Sequence, residues 1–178
     1  MNQSNKLLIT AGLAAISLLV AYSAAASPAP VIWQPPLNPP LQLINEYRQP
    51  NSDYSAGHRG VDYLARLDQS VLAPADGQVL FARPIYNRGV LSINHGNGIL
   101  TEFEPVCSDF AVGELVFAGQ EIGRICDADA SYPGHCGNQL CMHFSVRQHG
   151  RYLSPLIFMG LANPSRLLPI YKVDYARG

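Results

Sequence analysis

Charge is what this chain has least of. Charged side chains make up 14% of its 178 residues, where an ordinary soluble domain carries about 25%. The two signs nearly cancel, with 12 Lys and Arg against 13 Asp and Glu for a formal charge of -1. Tracking a nucleic-acid backbone needs a basic face, so no nucleic-acid partner is expected. Helical periodicity is missing too. Nowhere before Pro155 do apolar residues repeat at helical spacing for three turns. There is no internal repeat and no C-x-x-C pair, which weakens any reading of the four cysteines as a zinc knuckle. The 48% apolar fraction suffices for a packed core and excludes disorder throughout.

The one long apolar run lies at the N-terminus. Lys6 precedes an unbroken apolar and small-residue stretch from Leu7 to Val20, and Ala24-Ala25-Ala26 follows ahead of Ser27. This is the order of an export signal with a small-residue cleavage site, residues 1–26. Leu7 to Ala26 is also just long enough to span a bilayer, so an uncleaved membrane anchor is the alternative. Both place the remainder outside the cytoplasm. In an exported chain of this size, Cys107, Cys126, Cys136 and Cys141 are most simply two disulfides. Three pairings are possible. Cys136–Cys141 closing a short loop, with Cys107–Cys126 joining two strands, is the favoured one.

Residues 27–40 hold six prolines and read as a stiff, extended spacer in which Trp33 docks on the domain surface. From Gln42 onward the pattern becomes β. Val71 to Ala73, Gln78 to Ala82, Val90 to Asn94, Ile99 to Val106, Glu121 to Cys126 and Met142 to Arg147 are short apolar runs punctuated by Gly, Pro, Asn and Asp. Asp76-Gly77 and Gly96-Asn97-Gly98 are hairpin signals. The expectation is one all-β, antiparallel domain over residues 41–169 with at most a short helix, then a tail over 170–178.

Two short stretches carry the candidate chemistry, Gly57-His58-Arg59-Gly60-Val61-Asp62 and Cys141-Met142-His143-Phe144. Alternation along a strand turns Met142, Phe144 and Val146 to the core and Cys141, His143, Ser145 and Arg147 to the other side. His143 thus faces a cleft or solvent. His58 and Asp62 are four apart between Gly57 and Gly60, which allow a tight turn beside a metal. Two histidines and one carboxylate are a ligand set for a catalytic zinc, whose fourth position stays open. Each half alone is common by chance. His95 reads as structural in its Gly-rich turn, and His149 as exposed and inert.

In this order the motifs resemble the lysostaphin-type zinc metallopeptidases that cut peptidoglycan cross-links. The resemblance runs from about Tyr54 to Pro155. It rests on Gly57 to Asp62, Val71-Leu72-Ala73-Pro74-Ala75-Asp76-Gly77-Gln78-Val79, and Ile93-Asn94-His95-Gly96-Asn97-Gly98. It continues through Val112-Gly113-Glu114-Leu115-Val116, Ala118-Gly119-Gln120-Glu121-Ile122-Gly123 and Met142-His143-Phe144. It implies a barrel-like β sandwich and Zn2+ held by His58, Asp62 and His143 under a groove for wall peptides. Two positions depart from the family. Cys141 stands where the family's closing His-x-His has its first His, and Pro105 where a Tyr-x-His pattern has its second catalytic His. The same substitutions resemble a variant branch among actinobacterial relatives. General acid–base help is worth about 10²–10⁴ in rate, so both losses bear on turnover.

His135, beside the expected Cys136–Cys141 loop, is the candidate for a relocated base. Glu104 is the second, although counting alternation from Phe103 and Pro105 turns it away from the site. Two functions follow: an exported zinc metalloendopeptidase acting on peptidoglycan peptides, or a silent zinc-binding member that binds those peptides or activates another wall hydrolase.

Overall fold

The computed structural model describes residues 32–126, 136–137 and 139–162. The expected export signal over residues 1–26, His135 and the expected tail over 170–178 lie outside the described residues. Among the described residues, eleven strands and one short helix follow in chain order. They are β1 (Leu43–Asn45), β2 (Gly60–Leu64), β3 (Ser70–Leu72), β4 (Gly77–Ile85), β5 (Arg88–Asn94) and β6 (Ile99–Glu104). Then come β7 (Val106–Cys107), β8 (Leu115–Val116), β9 (Glu121–Ile125), β10 (Cys141–Gln148), β11 (Arg151–Leu153) and α1 (Pro155–Phe158). The pairings are antiparallel throughout. The large sheet runs β1-β2-β10-β6-β5-β4-β8 with β11 on β10, and a small sheet runs β3-β9-β7. The all-β reading holds.

Register explains why the large sheet has one dry and one polar face. Val61, Phe144, Phe103 and Leu91 pair in a single row across β2, β10, β6 and β5, and none is exposed. The Phe103 and Phe144 rings stack with centroids 5.1 Å apart, worth about 0.5–1.5 kcal/mol beyond the area they bury. Side chains alternate along each strand, so the adjacent rows must face the other way. The small sheet contributes Val71, Ile122 and Ile125 to the same core.

Two turns behave differently. Gly96, Asn97 and Gly98 all have positive φ (79°, 49° and 69°) and join β5 to β6, as a hairpin signal demands. Asp76-Gly77 is not a hairpin. It carries the chain from β3 in the small sheet to β4 in the large one. Its Asp76 carboxylate instead accepts from the Ala118 N–H at 2.8 Å.

Part of the proline-rich segment expected as a spacer is packed. Leu37 and Trp33 are buried, at 1% and 8% exposure. Backbone hydrogen bonds tie the segment down, Trp33 N–H to Phe158 O, Gln34 N–H to Pro74 O, and Leu72 N–H to Pro36 O. Proline's lack of an N–H leaves few donors to satisfy in such a strap. Trp33, Pro36 and Leu37 supply the burial, while Ile32 stays exposed.

Candidate metal centre

One row of the sheet assembles the site. Asn45 pairs with Asp62, Asp62 with His143, and His143 with Glu104, across β1, β2, β10 and β6. This row lies next to the Val61–Phe144–Phe103 row, so its side chains point to the opposite, polar face. His58 joins them from just before β2, where its backbone exchanges two hydrogen bonds with Arg48 (2.9 and 3.0 Å). With Asn45, Glu46 and Arg48, the His58, Asp62, Glu104 and His143 side chains line an open cleft of about 660 Å³. That is within the usual ~300–1,000 Å³ of ligand pockets.

The three groups implied as ligands converge. Nε2 of His58 lies 3.2 Å from Asp62 Oδ1, and Nδ1 of His143 lies 2.7 Å from the same oxygen. The two nitrogens are 3.3 Å apart. Their ligand atoms all fall within 4.8 Å of one another. Asp62 is fully buried, while the His58 and His143 side chains are 14% and 15% exposed. Nδ1 of His58 sits 2.7 Å from the Glu46 carbonyl. A carbonyl can only accept, so that nitrogen carries the proton and Nε2 presents its lone pair to the centre. Such a backbone partner is how metal-bound histidines have their tautomer set. On donor chemistry the site fits a zinc-class cation: two imidazole nitrogens and one carboxylate oxygen, with an open side.

Gly60 is required here for space. Neither it nor Gly57 has a positive φ. A Cβ on Gly60 would lie 2.6 Å from His143 Nε2 and would strike the Phe144 carbonyl. The His143 ring therefore lies over Gly60, and the turn argument for that glycine gives way to a close-approach one.

Glu104 requires a correction. Alternation with Phe103 and Pro105 on the site face turns it away, but Phe103 lies in the core and Glu104 pairs opposite His143 on the cleft. Arg88 Nε donates to Glu104 Oε2 at 2.7 Å. Sequence reasoning also missed Asn45, whose Nδ2 donates to Asp62 Oδ2 at 2.8 Å. Tyr63 follows Asp62 but points into the core, where burial pushes its hydroxyl up to about 12. It serves no proton in the cleft.

Both expected disulfides are present, Cys107–Cys126 and Cys136–Cys141. The second lies against the site, with its sulfurs and an Asp62 oxygen mutually within 4.8 Å. Of the remaining histidines, His95 is held by the Asp76 carbonyl at Nδ1 (2.7 Å) and by Thr101 Oγ1 at Nε2 (2.8 Å). His149 is an exposed turn residue with φ 48°.

Comparison with known proteins bears on the family and the fold. The model of "Peptidase family M23" matches residues 56–155. Uncharacterized protein Rv2891 of Mycobacterium tuberculosis is 33% identical over 158 residues, covering 86% of this chain. The chain spans 61% of that relative's length. The catalytic domain of the antimicrobial peptidase lysostaphin from Staphylococcus simulans superposes with a TM-score of 0.53 at 18% identity. That match covers 67% of this chain and 92% of that one. The SpoIIIAH and SpoIIQ complex gives 0.59 at 18% identity, over 71% of this chain and 99% of that one. At such identities the likeness is one of fold. With more than half of its residues matched in sequence, the chain belongs to peptidase family M23.

Proposed function

We propose that this is an exported zinc metalloendopeptidase that acts on peptidoglycan cross-link peptides. The observation that carries the reading is the convergence of His58 Nε2 and His143 Nδ1 on Asp62 Oδ1, with the His58 tautomer set by the Glu46 carbonyl. His58, Asp62 and His143 hold the metal. A zinc ion bound there supplies Lewis-acid polarisation of the scissile amide and activation of water at neutral pH. The cleft beside it receives an extended peptide, with the Asn45 side chain holding Asp62 in place at 2.8 Å. Glu104, opposite His143 in register, is the carboxylate that takes the proton from the attacking water and returns it to the leaving amine. Arg88 orients it through the Oε2 contact. This moves the base one residue away from the family's position, occupied here by Pro105. His135 is the alternative base.

A silent wall-binding or hydrolase-activating protein is the second reading. Two observations favour it. Cys141, in the place of an imidazole, is locked in a disulfide, and Glu104 is already paired with Arg88. The lysostaphin and SpoIIQ structures show that one fold is found both in an antimicrobial peptidase and in a protein complex.

The test is peptide release from purified cell walls by the oxidised protein, with products identified by mass. Release abolished by a zinc chelator and by His58→Ala is expected. Glu104→Gln should lower the rate about 10²–10⁴-fold with zinc content unchanged. No release from folded, zinc-loaded protein sinks the enzyme and leaves the silent reading.

A further inference from the structure

The disulfide beside the site has a chemical capacity that the peptidase reading does not use. Cys141 and His143 lie two apart in β10, on one face of the strand. Cys136 closes back onto Cys141 from only five residues away. Asn45 marks which side of Asp62 the sulfurs occupy. Its Nδ2 contacts Asp62 Oδ2 at 2.8 Å and Cys136 Sγ at 3.8 Å, whereas the histidines meet Oδ1. Asp62 thus has one oxygen turned to two imidazoles, the other bound by Asn45, and a carboxylate oxygen within 4.8 Å of both sulfurs.

We propose that reduction of Cys136–Cys141 creates a second metal site, built from both sulfurs and Asp62, that takes a thiophilic divalent cation of the zinc class. It goes beyond the peptidase reading and shares with it only the Asp62 carboxylate. Thiolates bind zinc at about 2.3 Å and carboxylates at about 2.0–2.2 Å, so ligands of one ion lie at most about 4.6 Å apart. The three ligand atoms, mutually within 4.8 Å, are close to that spacing already. Only the sulfurs must part. A thiol reductant supplies the change: the S–S bond breaks, the cysteines gain two electrons and two protons, and two reductant thiols become a disulfide. A binding cation then displaces both thiol protons to solvent and forms two sulfur–metal bonds.

The fold keeps the event local. Cross-linking entropy grows with loop size, and this bridge closes a short loop, against a separation of 19 for Cys107–Cys126. The latter bridge also ties β7 to the residue that follows β9, its partner in the small sheet. Reduction is therefore felt at Asp62, the residue on which the peptidase site depends. Oxidised protein has an Asp62 committed to the histidine site, and reduced protein has one divided between two cations.

Cobalt(II) is the probe, titrated into the full chain before and after reduction by a dithiol. The oxidised protein should take one equivalent, with ligand-field bands and no thiolate charge-transfer band. The reduced protein should take one more, accompanied by that band in the near ultraviolet. Cys136→Ser/Cys141→Ser should lose the band and the extra equivalent under reduction, although Cys107 and Cys126 are then free thiols. A Cys107→Ser/Cys126→Ser background, whose only thiols are the proposed ligands, should retain both. A reduced, folded protein with no charge-transfer band overturns the proposal, as does a band that survives Cys136→Ser/Cys141→Ser. Oxidised protein that binds no cobalt overturns the histidine site instead and leaves the reduced-state band to be read on its own.

Discussion

His95, just past β5, and His143, within β10, are used in opposite ways. His95 follows β5 and turns to the core side, where its ring lies 4.9 Å from the buried Trp33. Both of its nitrogens are taken by the fold itself, one by the Asp76 carbonyl and one by Thr101. His143 lies in β10 on the cleft side and meets His58 at a single carboxylate oxygen. Identity of side chain therefore says little about role. A histidine whose two nitrogens are satisfied by a carbonyl and a hydroxyl is a structural cross-brace. Two imidazoles aimed at one buried carboxylate are poised for a cation, because the carboxylate alone can satisfy them only partly.

The most direct way to break this comparison is to delete one histidine from each side. His58→Ala should abolish stoichiometric zinc binding, measured by metal analysis after dialysis, while thermal unfolding of the metal-free protein changes little. His95→Ala should do the reverse and leave the zinc content at one per chain. Equal zinc loss in both variants would erase the distinction. The next effect in size belongs to the core side. Trp33→Ala removes a ring packed on His95 and on Phe158 (4.6 Å), at a cost of about 3–5 kcal/mol. Denaturant unfolding reads this directly, and a change under about 1 kcal/mol would return residues 32–40 to the role of a loose spacer.

That last point marks where sequence reasoning stopped. The convergence of His58, Asp62 and His143 on one cleft was legible because two short motifs carry them, and because register in a sheet with one dry face is strongly constrained. Phe144 had to face inward, so His143 faced out. The same logic failed at Glu104 because Phe103 and Pro105 were placed on the site face. Phe103 instead stacks on Phe144 in the core. Asn45 left no local signal at all. It reaches Asp62 from 17 residues away through a three-residue strand whose register shifts between Leu43 and Asn45. In the strap the expected docking of Trp33 holds, but the segment packs more closely than a spacer, since proline frequency reports stiffness and not burial. Leu37, a second large apolar residue among the prolines, was the available clue.

A smaller perturbation sharpens the cleft side. Asn45→Ala removes the donor that holds Asp62 Oδ2 and leaves every proposed ligand in place. Partners one step removed from a metal typically matter by about 10–100-fold in affinity. Competition with a chromogenic chelator should show a weakening of that order, and Asn45→Asp should not restore it, because an acceptor cannot donate to Asp62. Unchanged affinity would mean that β1 contributes only an edge to the sheet.

The smallest effect is a pH dependence, and it is expected at His95. Burial pushes its pKa below the ordinary 6.5, outweighing the Asp76 carbonyl and carboxylate, which act in the other direction. Below about pH 6.5 the unfolded chain binds a proton there that the folded chain resists. The neutral ring's contribution to stability is therefore complete above that pH. It is lost progressively as pH falls towards the lowered folded value. Melting temperatures should decline between about pH 7 and pH 5 in the parent protein and decline less steeply in His95→Gln. Trp33→Ala, by opening the ring to water, should flatten the slope in the same way. An unaltered slope in both variants would assign the acid sensitivity to groups on the cleft side, and the contrast between the two faces would then have to rest on metal binding alone.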